Sequence, residues 1–119
     1  MLLWWLQDSP RLKASWRRAL ADAQSRVVVS VASIWEIAIK GSMGRLHLDL
    51  PDDIPLAEIS HACGFEDLPV LARHAAAVLT LPLHHHDPFD RLLIAQAHLE
   101  QLTLVSADRA IRAYNVDLL

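Results

Sequence analysis

His84-His85-His86-Asp87-Pro88-Phe89-Asp90-Arg91-Leu92-Leu93-Ile94-Ala95-Gln96-Ala97-His98 is the stretch on which the reading of the chain turns. Asp87-Pro88 has the form of a helix start, with a capping carboxylate followed by proline at the first helical position. From Asp90, Leu93, Ile94 and Ala97 follow at offsets of three, four and seven. That spacing places Asp90 at the head of the buried stripe, aimed along the core-facing side. A carboxylate buried there needs a partner, because even a neutral polar group buried without one costs roughly 2–7 kcal/mol. The plain explanation is local: Asp87 caps the helix and Asp90 sits in a first turn where the dipole favours an acid. A functional explanation requires other acids to arrive at the same place.

Outward from this helix the chain alternates. Before it, the pattern predicts a helix over 71–81 with Ala72, Ala75, Ala76 and Leu79 packing, stopped by Pro82. After it, Leu102–Val105 reads as a buried strand ended by Ser106, then a short helix over 107–113, then a last strand at Val116–Leu119. Towards the N-terminus, Asp8-Ser9-Pro10 is a turn, and residues 11–24 form an amphipathic helix with Leu12, Trp16, Ala19, Leu20 and Ala23 on one face. Val27–Val29 is a continuous β-branched strand, and Ser30 leads into a helix over 31–40. Leu46–Leu50 is a short extended piece, 52–62 a helix closed by Gly64, and Leu68–Val70 a brief strand. Strands separated by helices predict an α/β fold with a parallel sheet.

The chain is 119 residues long, 53% hydrophobic and 21% charged, enough for one domain with a core. Its formal net charge of −3 argues against a general nucleic-acid binder. Arg11, Lys13, Arg17, Arg18 and Arg26 nevertheless gather five of the eleven basic residues near the start, as a solvated face or a phosphate-contacting one. The single cysteine, Cys63, excludes an intrachain disulfide and reads as a small buried apolar residue. No targeting signal is visible, and the richest apolar run, Val27–Ile39, is too short to span a bilayer. A soluble cytoplasmic protein is expected.

Two further acids stand out. Glu36 is the only charge between Val27 and Ile39; Ser33-Ile34-Trp35-Glu36 fits a capping box. Asp108 follows Ser106 and reads as a first-turn acid. Both follow predicted strands, at the carboxyl edge where α/β folds bind ligands. If those ends adjoin, Glu36, Asp90 and Asp108 share one pocket, and a hard divalent cation relieves their repulsion. Mg2+ or Mn2+ there suits phosphodiester hydrolysis. His84–His86 is a rival metal site, though adjacent histidines point different ways; a polar loop is the plainer reading. Trp4, Trp5, Trp16 and Trp35 read as core rather than as a base-stacking platform.

Val29-Ser30-Val31-Ala32-Ser33-Ile34-Trp35-Glu36-Ile37-Ala38-Ile39-Lys40, Leu81-Pro82-Leu83 with His86-Asp87-Pro88-Phe89-Asp90-Arg91, and Leu104-Val105-Ser106-Ala107-Asp108 resemble the PIN-domain ribonucleases of the VapC toxin type. The resemblance covers nearly the whole chain. It implies a three-layer α/β/α fold with a short parallel sheet, Mg2+- or Mn2+-dependent RNA cleavage, a cognate antitoxin and a homodimer. It places Glu36, Asp90 and Asp108 on the family's acidic, metal-binding positions, with Asp87 and Ser106 as accessory groups. It departs at the start: the family opens on a central strand ending in a metal-binding Asp, and Leu2–Leu6 resembles the helix after it. The expectation is a PIN-like domain over 1–119 whose N-terminus is shortened, the natural product beginning upstream. Three readings stand: a ribonuclease toxin, a catalytically weak module that binds an antitoxin, and an α/β domain whose acids are only caps.

Overall fold

The computed structural model describes residues 9–44, 54–106 and 108–119. The expectations for Leu2–Leu6, with Trp4 and Trp5, and for Leu46–Leu50 fall outside them. The chain divides into two compact units, Met1–Leu68 and Pro69–Leu119. The chain is mixed α/β, and its short parallel two-stranded sheet lies within the first unit.

In the first unit, Ser9 closes a turn by accepting the Leu12 N–H at 3.1 Å. Helix α1 follows over Ala14–Ala21. It is shorter than the 11–24 pattern, but Leu12 and Trp16 are buried as that pattern requires. Strand β1, Val28–Ser30, runs directly into helix α2, Val31–Ser42. Ser30 serves both elements: it is the last strand residue, and its Oγ accepts the Ala32 N–H at 3.1 Å as the N-cap. Such a cap is worth about 1 kcal/mol against alanine. A 3₁₀ turn at Leu56–Glu58 leads into helix α3, Ile59–Ala62. Gly64, at φ +77°, turns the chain into strand β2, Glu66–Leu68. The left-handed conformation there is one that glycine adopts without steric cost.

Strand β2 pairs parallel with β1, Val28 opposite Glu66 and Ser30 opposite Leu68. The brief strand expected at Leu68–Val70 therefore begins two residues earlier. Exposed Glu66 forms an ion pair with Arg26 at 2.7 Å beside that pairing. Val29, Ala32, Ile37, Ile59 and Phe65 join Leu12 and Trp16 among the buried apolar residues of this unit.

In the second unit, helix α4, Ala72–Ala77, continues as a 3₁₀ turn over Val78–Thr80. Helix α5 spans Pro88–Glu100, and Gln101 ends it in a left-handed conformation at φ 55°. Ile94, Ile111 and Tyr114 form a buried cluster with Leu81, Leu104, Val116 and Leu118 packed against it. Leu102–Val105 is not a full strand. Leu104 makes one isolated parallel bridge with Leu118, through 2.8 and 3.1 Å backbone hydrogen bonds. The last strand at Val116–Leu119 is likewise reduced to that bridge.

Helix α4 overturns its predicted face. Ala72, Ala75 and Ala76 are exposed and Leu79 is 89% exposed, whereas His74 is fully buried. His74 acts where a capping-box glutamate would: its Nδ1 accepts the Leu71 N–H at 3.0 Å. Its Nε2 therefore carries the hydrogen and donates to Glu100 Oε1 at 2.7 Å. Gln96, also buried, reaches the carbonyl of Pro69 and the His74 ring. Alanines bury little area, so a satisfied polar anchor sets the helix rotation instead.

The His74 hydrogen bond, helped by Arg73, holds the Glu100 carboxyl below its ordinary value. A lowered folded value stabilises the native state above the unfolded carboxylate range and is lost as pH falls through it. Wild-type stability is therefore expected to decline on acidification below about pH 5 more steeply than that of Glu100→Gln. Urea midpoints measured across that range check this; parallel curves would remove Glu100 from the acid response.

Candidate metal-binding acidic site

The second unit assembles the site at the start of α5. Asp87 is the N-cap, its Oδ1 accepting the Phe89 N–H at 2.9 Å and the Asp90 N–H at 3.4 Å, with Pro88 at the first helical position. That cap fixes the first turn and so aims Asp90. Ile94 and Ala97, further down the same stripe, are buried, and Leu93 is half-buried. Asp90 itself keeps a 25% exposed side chain.

Asp108 arrives from the other side of the Leu104 bridge. Ser106 Oγ accepts the Asp108 N–H at 3.1 Å, and Asp108 Oδ1 accepts the Ala110 N–H at 2.9 Å. Asp108, rather than Ser106, thus caps the 3₁₀ turn Arg109–Ala113.

Between these acids stands His85. Its Nε2 lies 2.8 Å from Asp90 Oδ2 and 3.1 Å from Asp108 Oδ2. Both oxygens are acceptors, so Nε2 carries a hydrogen and the ring faces the acids as a donor. The His84–His86 run is therefore more than a polar loop: one of its members enters the site and the other two side chains are exposed. The hydrogen bond to Asp90, with the charges of Asp108, Asp90 and Asp87, raises the His85 imidazole above its ordinary value. Burial raises the Asp90 carboxyl, and the His85 hydrogen bond works against that rise.

Arg91 builds the wall behind His85. Its guanidinium donates to the carbonyls of Pro82 at 3.0 Å, Val78 at 3.2 Å and Leu81 at 3.4 Å, and to Tyr114 Oη at 3.0 Å. Tyr114 Oη also accepts the backbone N–H groups of His84 at 3.1 Å and His85 at 3.0 Å. The His84 ring meets Tyr114 edge-on, with centroids 5.1 Å apart. The loop that delivers His85 is thus fixed from α5 and from the hydrophobic cluster at once.

A ring nitrogen of His85 and one carboxylate oxygen each from Asp87 and Asp90 lie within 4.8 Å of one another. Among the described residues this is the group of histidine, cysteine and acidic side chains with the spacing of a metal site. Its donors are mainly carboxylate oxygens, which fit a hard divalent cation such as Mg2+ or Mn2+.

The chain matches the PIN domain family over residues 1–116. It belongs to that family. PIN domains are in general Mg2+- or Mn2+-dependent nucleases, and the oxygen-rich donor set agrees with that chemistry. No curated protein and no solved structure gives a significant match.

The remaining predicted positions lie in the first unit. Glu36 is on α2, its carboxylate 2.9 Å from Lys40 one turn on. The expected capping box is absent, because α2 starts at Ser30 and Ser33 lies inside the helix. Trp35 is 59% exposed rather than core, while Trp16 is buried beneath Lys13, whose Nζ lies 4.6 Å from the ring centre. Of the basic cluster, Arg17 donates to the Ser9 carbonyl at 3.2 Å and Arg26 pairs with Glu66; Arg11 and Arg18 are exposed. Cys63 is half-buried, and burial pushes its thiol up, away from the reactive thiolate.

The sequence reading passed over His85 and Arg91 as individual actors. The signal for Arg91 is its place one residue after Asp90, off the apolar stripe and facing a loop with no cap of its own. Hydrogen bonds to a charged group are worth about 1.5–3 kcal/mol each. Arg91→Ala should therefore cost at least about 2 kcal/mol of stability, read as a lowered urea midpoint, with Arg91→Lys recovering only part of it. A loss below about 0.5 kcal/mol would show that the loop is held by other contacts.

Proposed function

We propose that this PIN domain is a metal-dependent endoribonuclease acting as the toxin of a toxin–antitoxin pair, with Glu36, Asp90 and Asp108 as its catalytic and metal-binding carboxylates. The observation that carries the reading is the approach of Asp90 and Asp108 to a single point, the His85 Nε2, with Asp87 beside them. Capping by Asp87 and Asp108 and the first-turn position of Asp90 would explain each of these acids alone. They would not explain why two of them, from separate capped turns, turn an oxygen towards the same nitrogen.

In this reading Asp90 and Asp108 would hold Mg2+ or Mn2+, Glu36 is the third proposed carboxylate, and Asp87 and Ser106 are accessory groups. Asp87 and Asp108 each commit one oxygen to a backbone cap, which fixes the direction of the other. The cation supplies Lewis-acid activation of water and charge neutralisation at the phosphate. The cognate antitoxin covers the site, and the active form is a cytoplasmic homodimer. Among the described residues, no helix is long and apolar enough to cross a membrane.

The direct test is cleavage of single-stranded RNA by the purified chain. Cleavage is expected with Mg2+ or Mn2+, and none with a chelator or in Asp90→Asn or Glu36→Gln. Asp90→Asn should remain folded, with neutral-pH stability equal to or above wild type, because a buried charge is removed. Metal-independent cleavage, or full activity in Asp90→Asn, would reject the site.

The basic residues near the start are assigned to RNA or to an acidic antitoxin segment. Arg11 and Arg18 are better placed for this than Arg17 and Arg26, which are engaged within the chain. Each phosphate contact removed lowers the salt slope of single-strand binding by about 0.7. The Arg11→Ala, Arg18→Ala variant should therefore lose about 1.4 in slope; an unchanged slope would make these residues a solvated face.

A further inference from the structure

Residues 69–119 carry four arginines and no lysine. Two of the four are engaged inside the second unit: Arg73 pairs with Glu100, and Arg91 is filled by backbone carbonyls and the Tyr114 hydroxyl. The other two, Arg109 and Arg112, are exposed, and among the described residues neither side chain has a hydrogen bond or an ion pair. Both lie on the 3₁₀ turn, Arg109–Ala113, that Asp108 caps. We propose that Arg109 and Arg112 form the substrate-binding edge of the acidic site, holding phosphates of one RNA strand beside the reacting one. This rests on the ribonuclease reading above and adds two residues that the reading does not use.

Position comes first. Asp108 starts the turn, its Oδ1 accepting the Ala110 N–H at 2.9 Å, while its Oδ2 lies 3.1 Å from His85 Nε2 in the site. Arg109 is the next residue, so a row of positive charge begins where the acids end. The turn itself sets the direction of that row. In a 3₁₀ helix, side chains three apart eclipse, with a rise of about 2 Å per residue. Arg109 and Arg112 therefore stand in line, about 6 Å apart along the axis. Ile111 and Tyr114 are buried in the apolar cluster, which fixes the rotation of the turn and keeps the arginines on its outer side. Charge supplies the need. Asp87, Asp90 and Asp108 repel a polyanion at the place where its phosphodiester would be cut. Cations beside such a site draw the strand in and hold the phosphates that flank the reacting one. A guanidinium suits that task, since its planar fork of N–H groups can meet two phosphate oxygens at once. Two cations in line follow one backbone, as do the basic grooves that track single strands.

The test combines binding and turnover of a fluorescein-labelled single-stranded RNA of mixed sequence by the full chain. Binding is read by fluorescence anisotropy over a salt series with chelator present, and cleavage is followed with Mn2+ at varied RNA concentration. The variant Arg109→Gln, Arg112→Gln is expected to lower the salt slope by about 1.4 and to weaken binding roughly tenfold at low salt. Its KM should rise by a similar factor with kcat little changed, since uniform binding is what is lost. Arg109→Lys, Arg112→Lys should restore the slope and part of the KM, because the charge is kept and the fork is not. Both positions are exposed, so thermal melts of the variants should match wild type. Unlabelled RNA should displace the probe, and poly-glutamate at the same charge concentration should not. An unchanged slope and KM in the glutamine variant overturns the proposal and makes the pair a solvated face. Loss of kcat alone overturns it too, by placing the pair outside strand binding. Displacement by poly-glutamate equal to that by RNA overturns it in favour of an acidic polypeptide partner. Failure of wild type to bind RNA overturns it outright. No cleavage by wild type, with binding and slope as expected, rejects the ribonuclease reading and leaves the RNA-binding edge standing.

Discussion

A single guanidinium holds the second unit's site in place. Arg91 sits in the first turn of α5 and reaches back to the carbonyls of Val78, Leu81, Pro82 and His85, and to the Tyr114 hydroxyl. The first three flank the end of a 3₁₀ turn, where Val78 O also takes the Leu81 N–H, and the fork of fixed N–H groups supplies donors that the backbone there does not. The same hydroxyl takes the N–H groups of His84 and His85. The loop before α5 is therefore specified by hydrogen bonds from its own helix. Ile94 and Ile111, buried with Tyr114, supply the apolar base on which that hydroxyl is held.

Given that frame, the acids follow from capping. Asp87 and Asp108 each use one oxygen to start a helical turn, and Asp90 is carried inward by the turn that Asp87 starts. Capping and site formation are thus not rival explanations. A cap immobilises a carboxylate, and an immobilised carboxylate is what a metal or an imidazole can bind with little loss of entropy. His85 then stands between Asp90 and Asp108, its Nε2 2.8 Å from one carboxylate and 3.1 Å from the other.

The first unit shows the same economy at Ser30, where one residue ends a strand and caps a helix. The contrast is α4, where a small-residue face carries too little area to fix the helix. There the buried His74, with Glu100 and Gln96, takes over. Polar anchors govern wherever the apolar pattern is thin.

The sequence by itself determined the local events whose cause is local. The Asp87-Pro88 start, the Ser30 junction, the turn at Gly64, the burial of Leu12, Trp16, Ile94 and Ala97, and the family through its ordered motifs were all legible, because capping, turn chemistry and helical period act within a few residues. Tertiary structure decided what depends on distant partners. Leu102–Val105 has a strand's composition, but a strand exists only to the extent of its pairing, and here pairing reduces to the bridge from Leu104 to Leu118. Ser33 had the residue type of a cap, but the helix had already begun at Ser30 because the β1 backbone ends there. Alanines at helical spacing looked like a core face, yet a buried histidine set the rotation of α4. His85 was indistinguishable from its two neighbours in sequence; only the loop held by Arg91 and Tyr114 turned that one ring towards two carboxylates.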